Sequence, residues 1–297
     1  MHRQWGLLGV PSSAGAHTPG LEKGPAALRA AGIAGRLGRA VVDHGDLPPF
    51  RWRPDPGSPS GQNLEAVVRV AAATADAVAR IDAAGQVPFV LGGDCSITVG
   101  VMAGLARAGA RPALMYVDGG PDLFTPQTRP NGNFDAMGVG HLLRLPGHAP
   151  DLAAVAPRVG PGQVLSFGDA LPEGAGDHEL ELLDQLGIAR ISAADVHADP
   201  QGCADRARGY IEAAADRFLV HFDVDVLRFV TAPLADVPDS GGDPVGLSVA
   251  EVATALATFA ASQRFAGLVL TEVNPDHVPT PDVLSGFVRD LATALSG

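Results

Sequence analysis

The fold is decided by residues 87–108, which read VPFVLGGDCSITVGVMAGLARA. Val87–Leu91 is a short apolar run of strand length, and Ile97–Ala108 has the length and composition of a helix. A strand that is apolar on both faces, followed directly by a helix, is typical of a parallel sheet that helices cover on both sides. The segment therefore predicts an α/β protein.

The same alternation of apolar runs and helical patterns extends along the whole chain. Strands are predicted at Trp5–Val10, Ala40–Asp43, Val87–Leu91, Ala113–Val117, Val164–Phe167, Arg217–Phe222 and Gly267–Leu270. Helices are predicted at Pro25–Leu37, Leu64–Ala84, Ile97–Ala108, Ala136–Leu143, Asp177–Leu186, Asp199–Ala215, Val249–Ala261 and Pro281–Leu295. This order predicts a three-layer α/β/α fold with a mainly parallel central sheet.

Three stretches lack a regular pattern. Pro48–Gln62 is rich in Pro, Gly and Ser and is interpreted as a surface loop. Leu145–Gly162 and Arg228–Gly246 are long enough to be functional loops. Because none of them resembles a linker and no internal repeat is found, we predict a single domain over residues 1–297.

Composition excludes several classes of function. The 297 residues include 46% hydrophobic residues and carry a formal net charge of −12. The 21 Lys and Arg are scattered, so the chain lacks the basic stripe of a nucleic-acid-binding protein. No apolar stretch reaches the roughly 20 residues that span a bilayer, and the first residues do not resemble a signal peptide. With only two cysteines, these features predict a cytoplasmic protein with reduced thiols.

Acidic residues follow five of the predicted strands. They are Asp94, Asp118, Asp169, Asp223 and Glu272. The carboxyl ends of parallel strands line the ligand crevice of an α/β sheet, so we expect these acids at one edge. A single acid in such a place can equally be a helix cap, but five together indicate a site.

Two pairs of acids sharpen this prediction. In Asp223-Val224-Asp225 both carboxylates share one side if the strand continues that far. Asp118 and Asp122 bracket a Gly-Gly-Pro turn that can bring them together. Clustered carboxylates raise one another's pKa, and a bound cation relieves the repulsion. Oxygen-rich clusters suit Mn²⁺ or Mg²⁺.

Four motifs resemble those of the arginase (ureohydrolase) family. LGGDCSITVG is similar to the family's G-G-D-H-S, YVDGGPDLFTP to its D-A-H-x-D, HFDVDVL to its S-F-D-V-D, and LTEVNPD to its E-V-N-P. The opening GLLGVPSSAG, followed by GLEKGPAALRAAGI and DHGDLP, also resembles arginases. Their order along the chain makes the resemblance specific, and it implies the arginase-like fold.

The resemblance implies a centre of two metal ions that generate hydroxide for attack on a guanidinium carbon. Its four aspartate ligands would be Asp118, Asp122, Asp223 and Asp225. Asp118 and Asp223 would bridge the ions. The family's two histidine ligands are replaced here by Cys95 and Gly120.

The resemblance also assigns residues to substrate and catalysis. Glu272 corresponds to the acid that receives the guanidinium, which favours a small guanidino or amidino substrate. Asn131 and Asn133 retain hydrogen-bonding capacity in the loop that grips the substrate's amino-acid end, whereas Phe124 replaces an Asn there. Asp135 stands where the family has a histidine that relays protons to the leaving amine.

Because two of the family's metal ligands are replaced, the sequence does not determine which metal binds or how many ions are held. Cys95 biases its site toward Zn²⁺ or Fe²⁺ rather than Mn²⁺, and a site without the second histidine should bind metal more weakly. One ion, or none, is compatible with these residues. His221 shares a strand face with Asp223, so it either hydrogen-bonds a ligand aspartate or coordinates directly. Cys95 is otherwise a buried structural residue, or a thiolate stabilised by the helix that follows it.

Three functions remain open from the sequence. The first is a divergent, metal-dependent hydrolase of a guanidine-type or amidine-type C–N bond, not an efficient L-arginase, serving specialised metabolism. The second is a repurposed enzyme with thiolate or metal-independent chemistry, such as cyclisation or amidine transfer, in which Cys95, Asp135 and Glu272 act. The third is a non-catalytic arginase-like protein. By analogy with the family, a homo-oligomer is expected.

Overall fold

The computed structural model describes residues 3–107, 109–170, 177–235 and 246–296 of the chain. Within these residues it contains one sheet of eight strands. The strands are β1 Trp5–Gly9, β2 Val41–Asp46, β3 Val87–Leu91, β4 Ala113–Val117, β5 Val164–Phe167, β6 Ala189–Ile191, β7 Phe218–Asp223 and β8 Phe265–Thr271. All neighbouring strands are parallel, in the order β2-β1-β3-β8-β7-β4-β5-β6. The prediction of a mainly parallel sheet is confirmed.

Helices connect these strands. They are α1 Gly24–Ala30, α2 Ile33–Arg36, α3 Leu64–Ala83, α4 Ile97–Ala106, α5 Gly138–Leu143, α6 Pro150–Ala153, α7 Asp177–Leu186, α8 Ala193–Ala198, α9 Pro200–Ala214, α10 Val249–Ala260 and α11 Pro281–Leu295. Among the described helices, none combines the length and apolar character that crossing a bilayer would require.

The helices form two layers, one on each face of the sheet. Side chains alternate along each strand, so that in β4 Met115 and Val117 enter one hydrophobic core while Leu114 and Tyr116 enter the other. The first core packs against α9, α10 and α11, and the second against α3, α4 and α5. Each inner strand is therefore buried on both faces, which explains its continuous apolar run.

The sequence missed three short elements. Strand β6 has only three residues, too few to show a periodicity, and α6 and α8 have four and six residues. The predicted helix Pro25–Leu37 is divided into α1 and α2 because Gly32 adopts a positive φ of 84° and ends the first helix.

The three predicted loops have different outcomes. Pro48–Gln62 contains no helix or strand, apart from an isolated bridge between Ser12 and Phe50. The stretch Leu145–Gly162 holds α6. In the third loop, residues 236–245 lie outside the described residues.

Candidate metal centre and active site

The acids that follow the strands lie at the carboxyl edge of four neighbouring strands. Asp118 follows β4, Asp223 is the last residue of β7, and Glu272 follows β8. Asp94 lies three residues beyond β3. Because β3, β8, β7 and β4 are adjacent in the sheet, the topology brings these residues to the same edge, as expected.

The centre of this edge is a cluster of four side chains. Cys95, Asp118, His221 and Asp223 are all buried, and each offers one ligand atom within 4.8 Å of the other three. The Cys95 thiol donates to Asp223 Oδ2 at 2.7 Å, and His221 Nε2 lies 3.6 Å from Cys95 Sγ and 3.3 Å from Asp118 Oδ2. Thr271 Oγ1 lies 3.2 Å from the same sulfur. The metal-ligand cluster, as these four residues are called below, combines sulfur, nitrogen and oxygen donors.

The orientation of His221 is fixed by its neighbours. Its Nδ1 pairs with Thr98 Oγ1 of α4 at 2.7 Å. The ring of Tyr116 stacks on the imidazole, with centroids 4.1 Å apart and planes 8° from parallel. These two contacts leave Nε2 facing Cys95 and Asp118. His221 and Asp223 are two residues apart on β7 and so lie on the same face of the strand, which brings the imidazole into the cluster.

Backbone amides fix the two central aspartates. Gly120 N donates to Asp118 Oδ1 at 2.7 Å, and Asp225 N donates to Asp223 Oδ1 at 2.7 Å. The second oxygen of each carboxylate therefore faces Cys95 and His221. Each aspartate presents one oxygen to the cluster.

The other two expected ligand acids lie on turns beside the cluster. Strand β7 ends at Asp223, and Val224–Val226 forms a 3₁₀ turn, so strand continuation does not align Asp223 with Asp225. The position of Asp225 is set by this turn and not by the strand. Asp225 Oδ1 accepts from Gly119 N at 2.9 Å. Asp122 has a φ of 50°, and its carboxylate accepts from the Tyr116 hydroxyl.

Burial and mutual repulsion shift the ionisation of these groups. Burial, together with the charges of Asp225 and Asp223, raises the pKa of Asp118 well above its ordinary value. Burial raises the pKa of Asp223, Asp122 and Asp225 in the same way. Burial lowers the pKa of His221 to about 3, so the imidazole is neutral. A divalent cation would relieve this repulsion.

The same environment holds Cys95 as a thiol. Burial first, and then the charges of Asp223 and Glu272, raise its pKa well above the ordinary value. Burial and these charges act against the stabilisation that the dipole of α4, whose first residue is Ile97, gives to a thiolate.

Two of the five strand-end acids serve the scaffold instead of the cluster. Asp94 accepts from Gly15 N and Ser96 N, each at 3.1 Å, and so joins the β1 and β3 loops. Asp169 forms an ion pair with Arg190 at 2.6 Å. Both acids already have partners, which is why the five do not converge on one point.

Glu272 occupies a strained position next to Cys95. Its φ of 64° lies in the left-handed region, and its backbone N–H donates to Gly93 O at 2.9 Å. The residue is 8% exposed, and its charge is among those that raise the pKa of Cys95. Strain of this kind in a non-glycine residue is common at functional sites.

The loop between β4 and α5 carries the remaining candidates. Asn131 is exposed and Asn133 is buried. Asp135 is half-buried, and its Oδ1 accepts from Ala136 N at 2.9 Å. Asp135 N donates to Gly15 O at 3.0 Å, which fixes this loop against the loop after β1. Phe124 stacks under Arg129 at 4.9 Å.

Sequence reasoning missed several residues of the site. Thr98 and Tyr116 position His221, and Thr271 contacts Cys95. Tyr116 lies two residues before Asp118 on β4, so the two-residue period of a strand was an available signal. Glu179 accepts from Leu123 N at 2.8 Å, and burial raises its pKa to about 7.

His141, on α5, is a second buried histidine and lies outside the metal-ligand cluster. It is fully buried, and its Nδ1 pairs with Met137 O at 2.7 Å while its Nε2 accepts from Ala149 N at 2.9 Å. Burial lowers its pKa to about 4.

The donor set of the metal-ligand cluster fits a divalent cation. Zn²⁺ and Fe²⁺ accept thiolate, imidazole and carboxylate ligands together, whereas Mn²⁺ and Mg²⁺ prefer oxygen. Cys95, His221 and the facing oxygens of Asp118 and Asp223 supply one sulfur, one nitrogen and two oxygens. These four donors therefore fit Zn²⁺ or Fe²⁺ better than Mn²⁺ or Mg²⁺.

Comparisons with known proteins identify the family and the fold of this chain. The model of the arginase family matches residues 3–291. Arginase-1 of Mus musculus is 32% identical over 296 residues, covering 95% of this chain and 88% of its own length. The native arginase structure from Bacillus caldovelox superposes with a TM-score of 0.84 at 26% identity, covering 100% of this chain and 99% of that chain.

A solved formimidoylglutamase from Bacillus subtilis shares the fold alone. Its TM-score is 0.74 at 17% identity, covering 99% of this chain and 88% of that chain. The eight-stranded parallel sheet is thus the arginase-like α/β fold. On the match of the family model over nearly the whole chain, this protein belongs to the arginase family.

Proposed function

We propose that this protein is a divergent hydrolase that cleaves a C–N bond of a small guanidino or amidino compound, and that it is not an efficient L-arginase. The observation that carries the proposal is the buried cluster of acids at the carboxyl edge of the sheet. Asp118, Asp223 and Glu272 converge there beside Cys95 and His221. Buried carboxylates that lie close together repel one another unless a bound ligand offsets their charge, so a cluster of this kind supports a retained site.

The residues divide into three roles under this proposal. Cys95, Asp118, Asp223 and His221 hold a divalent cation, and Asp122 and Asp225 add their charge from the turns beside it. Glu272 receives the cationic C–N group, and Asn131 and Asn133 bind the other end of the substrate. A bound divalent cation would lower the pKa of water and so supply hydroxide near neutral pH.

Proton delivery is the reason for proposing poor arginase activity. A leaving amine must gain a proton, and Asp135 replaces the expected histidine relay. An aspartate has a reference pKa of ~3.9 and is mostly ionised at neutral pH, so it is a weak proton donor. General acid–base assistance is typically worth about 10²–10⁴-fold in rate. Substrates with a better leaving group depend less on that proton.

The alternative of thiolate chemistry at Cys95 has less support. The thiol donates to Asp223, and nearby carboxylates raise its pKa, so a nucleophilic thiolate needs a compensating cation. A non-catalytic protein is the third candidate. A thiol-reactive probe separates these two, because only a nucleophilic Cys95 reacts at neutral pH once such a cation is supplied.

The test of the proposal is a substrate survey with defined metals. The metal-stripped protein is supplied with Mn²⁺, Zn²⁺ or Fe²⁺, and release of urea or ammonia is measured from L-arginine, simple amidines and N-hydroxyguanidines. We expect turnover of activated substrates and little of arginine. Asp223→Asn should abolish it, while Asp205→Asn on the exposed face of α9 should not. Arginine turnover of about 10² s⁻¹ or more would contradict the proposal.

Three coarser expectations accompany the proposal. They are a small-molecule substrate with no nucleic-acid or membrane partner, a homo-oligomeric assembly, and a cytoplasmic location in specialised metabolism. Light scattering of the purified protein measures the assembly directly.

A further inference from the structure

We propose that the metal-ligand cluster is a rebuilt, single-ion site that binds a thiophilic divalent cation, Zn²⁺ above all, through Cys95 Sγ, His221 Nε2, Asp118 Oδ2 and Asp223 Oδ2. The inference deepens the proposed function, because it names the ligands and the metal class of the same site. In it, an imidazole from β7 and a thiol before α4 replace the two missing histidines.

Two of the donor–donor distances in the cluster match tetrahedral coordination, and a third would have to lengthen. With Zn–S near 2.3 Å, Zn–N near 2.0–2.1 Å and Zn–O near 2.0–2.2 Å, ligand atoms on one tetrahedral ion stand about 3.3–3.6 Å apart. His221 Nε2 lies 3.6 Å from Cys95 Sγ and 3.3 Å from Asp118 Oδ2. The 2.7 Å between Cys95 Sγ and Asp223 Oδ2 is a thiol hydrogen bond. It would lengthen by about 0.9 Å when the cation displaces the proton to solvent.

The imidazole is held as a ligand. A metal-binding histidine commonly uses its second ring nitrogen in a hydrogen bond that fixes the tautomer. Here Thr98 Oγ1 accepts from Nδ1 at 2.7 Å in that tautomer, and the Tyr116 ring fixes the plane. The Nε2 lone pair then faces the sulfur and Asp118.

The other acids are engaged in ways that favour one ion over two. Asp118 Oδ1 and Asp223 Oδ1 accept backbone N–H groups, which leaves one oxygen of each for the cation. Asp225 Oδ1 accepts from Gly119 N, and the Asp122 carboxylate accepts from Tyr116. Gly120 offers no side-chain donor for a second ion. A single ion bound by Cys95 and His221 therefore uses the strongest donors of the cluster.

The experiment measures metal binding without substrate. The full chain is stripped with a chelator, dialysed against Zn²⁺ or Mn²⁺, and assayed for metal content. Loading with Co²⁺ then tests for a thiolate-to-cobalt charge-transfer band in the near ultraviolet, and X-ray absorption of the zinc form tests for one sulfur near 2.3 Å. We expect one Zn²⁺ per chain, the cobalt band and the sulfur ligand.

Matched variants identify the ligands. Cys95→Ser should lose the band and weaken Zn²⁺ binding at least 100-fold, and His221→Asn should also weaken it while keeping the band. Cys203→Ser is the control, because Cys203 is buried in α9 and contacts Arg206, and it should behave as wild type. Thr98→Val tests positioning: we expect about 10–100-fold weaker binding with the cobalt band retained. Circular dichroism verifies that each variant is folded.

The outcomes separate this inference from the proposed function. Two Mn²⁺ per chain with no sulfur ligand, no bound metal at all, or an unchanged cobalt band in Cys95→Ser would each overturn the single-ion site. Hydrolysis of amidino substrates in those cases would leave the proposed function intact. One Zn²⁺ bound through sulfur with no hydrolysis of any substrate would support the site and count against the function.

Discussion

At the residue scale, the site depends on side chains whose neighbours restrict what they can do. Cys95 donates to Asp223, His221 is neutral and fixed by Thr98, and Glu272 is held at a positive φ between β8 and the loop after β3. None of these states follows from the residue type alone. Glu272 is the residue whose role is tested most directly.

We expect Glu272→Gln to lower kcat/KM about 10–100-fold for a cationic amidino substrate. The substitution keeps the shape of the side chain and removes the charge that pairs with the guanidinium, and hydrogen bonds to charged groups contribute ~1.5–3 kcal/mol. Steady-state kinetics of both proteins measure the change. Glu251→Gln, in the cap of α10, is the control and should keep wild-type kinetics. Equal kcat/KM in Glu272→Gln and wild type would remove Glu272 from the substrate site.

At the element scale, the loops that follow the strands are fixed by close backbone approaches and buried polar contacts. Gly93 lies against the backbone of the loop after β1, and an added Cβ would stand 1.7 Å from Ser12 O. His141 joins α5 to Ala149 at the start of α6. These contacts determine how rigidly the site residues are held.

Gly93→Ala should destabilise the protein strongly. The Cβ would force apart the loops after β1 and β3, where Asp94 N donates to Ser12 O, and overpacking of this kind costs ~1–3 kcal/mol or more. Thermal unfolding measures the loss. Gly209→Ala in α9 is the matched control, because its Cβ meets nothing within 4 Å and alanine favours a helix by ~0.5–1 kcal/mol. A melting temperature of Gly93→Ala at or above that of the wild type would contradict the packing.

His141 should make the protein less stable in acid. Its pKa is about 4 in the folded protein, below the ~6.5 of an unfolded chain, so between these values only the unfolded state takes up the proton. The stability that the neutral imidazole contributes is present above pH ~6.5 and is lost as the pH falls toward ~4, by up to about 1.4 kcal/mol per pH unit. Urea titrations at several pH values measure the free energy of unfolding. Its slope against pH between ~4 and ~6.5 should be smaller in His141→Gln than in the wild type, by the equivalent of one proton. Identical slopes in the two proteins would refute this assignment.

At the scale of the whole molecule, the chain carries a formal net charge of −12, and the carboxylates of the metal-ligand cluster add negative charge at the carboxyl edge of the sheet. Fields of this sign attract cationic ligands over distances comparable to the Debye length, ~30 Å at 0.01 M salt and ~3 Å at 1 M. Both the proposed substrate class and a divalent cation have the complementary charge.

Association with a cationic substrate should therefore depend on salt. Raising KCl from 0.01 M to 0.5 M should lower kcat/KM several-fold while kcat changes little, because screening slows the encounter and not the chemistry. Sucrose at equal osmolality is the control and should leave kcat/KM unchanged. A kcat/KM that is independent of salt would show that the net charge plays no part in binding.

The sequence alone determined the fold class, seven of the eight described strands and the residues that follow them. Buried strands must be apolar on both faces and helices must follow them, so both leave local patterns that need no knowledge of distant contacts. The motifs around Asp118, Asp223 and Glu272 predicted that these residues lie at one edge of the sheet, and they do. Short elements such as β6 were missed because three residues carry no period.

Only the tertiary structure decided which acids share the site and in what state. Cys95 meets Asp223 across 128 positions of the chain, and His221 meets Thr98 across 123. Asp169 forms an ion pair with Arg190, and Asp94 accepts a hydrogen bond from a backbone amide of the loop after β1. Both acids nevertheless follow strands, as Asp118 does. The order of strands in the sheet determines which residues become neighbours, and burial then shifts the pKa of each group. Neither the strand order nor the burial of an individual polar side chain is encoded in a local pattern, so the chemistry of the cluster becomes visible only in the folded chain.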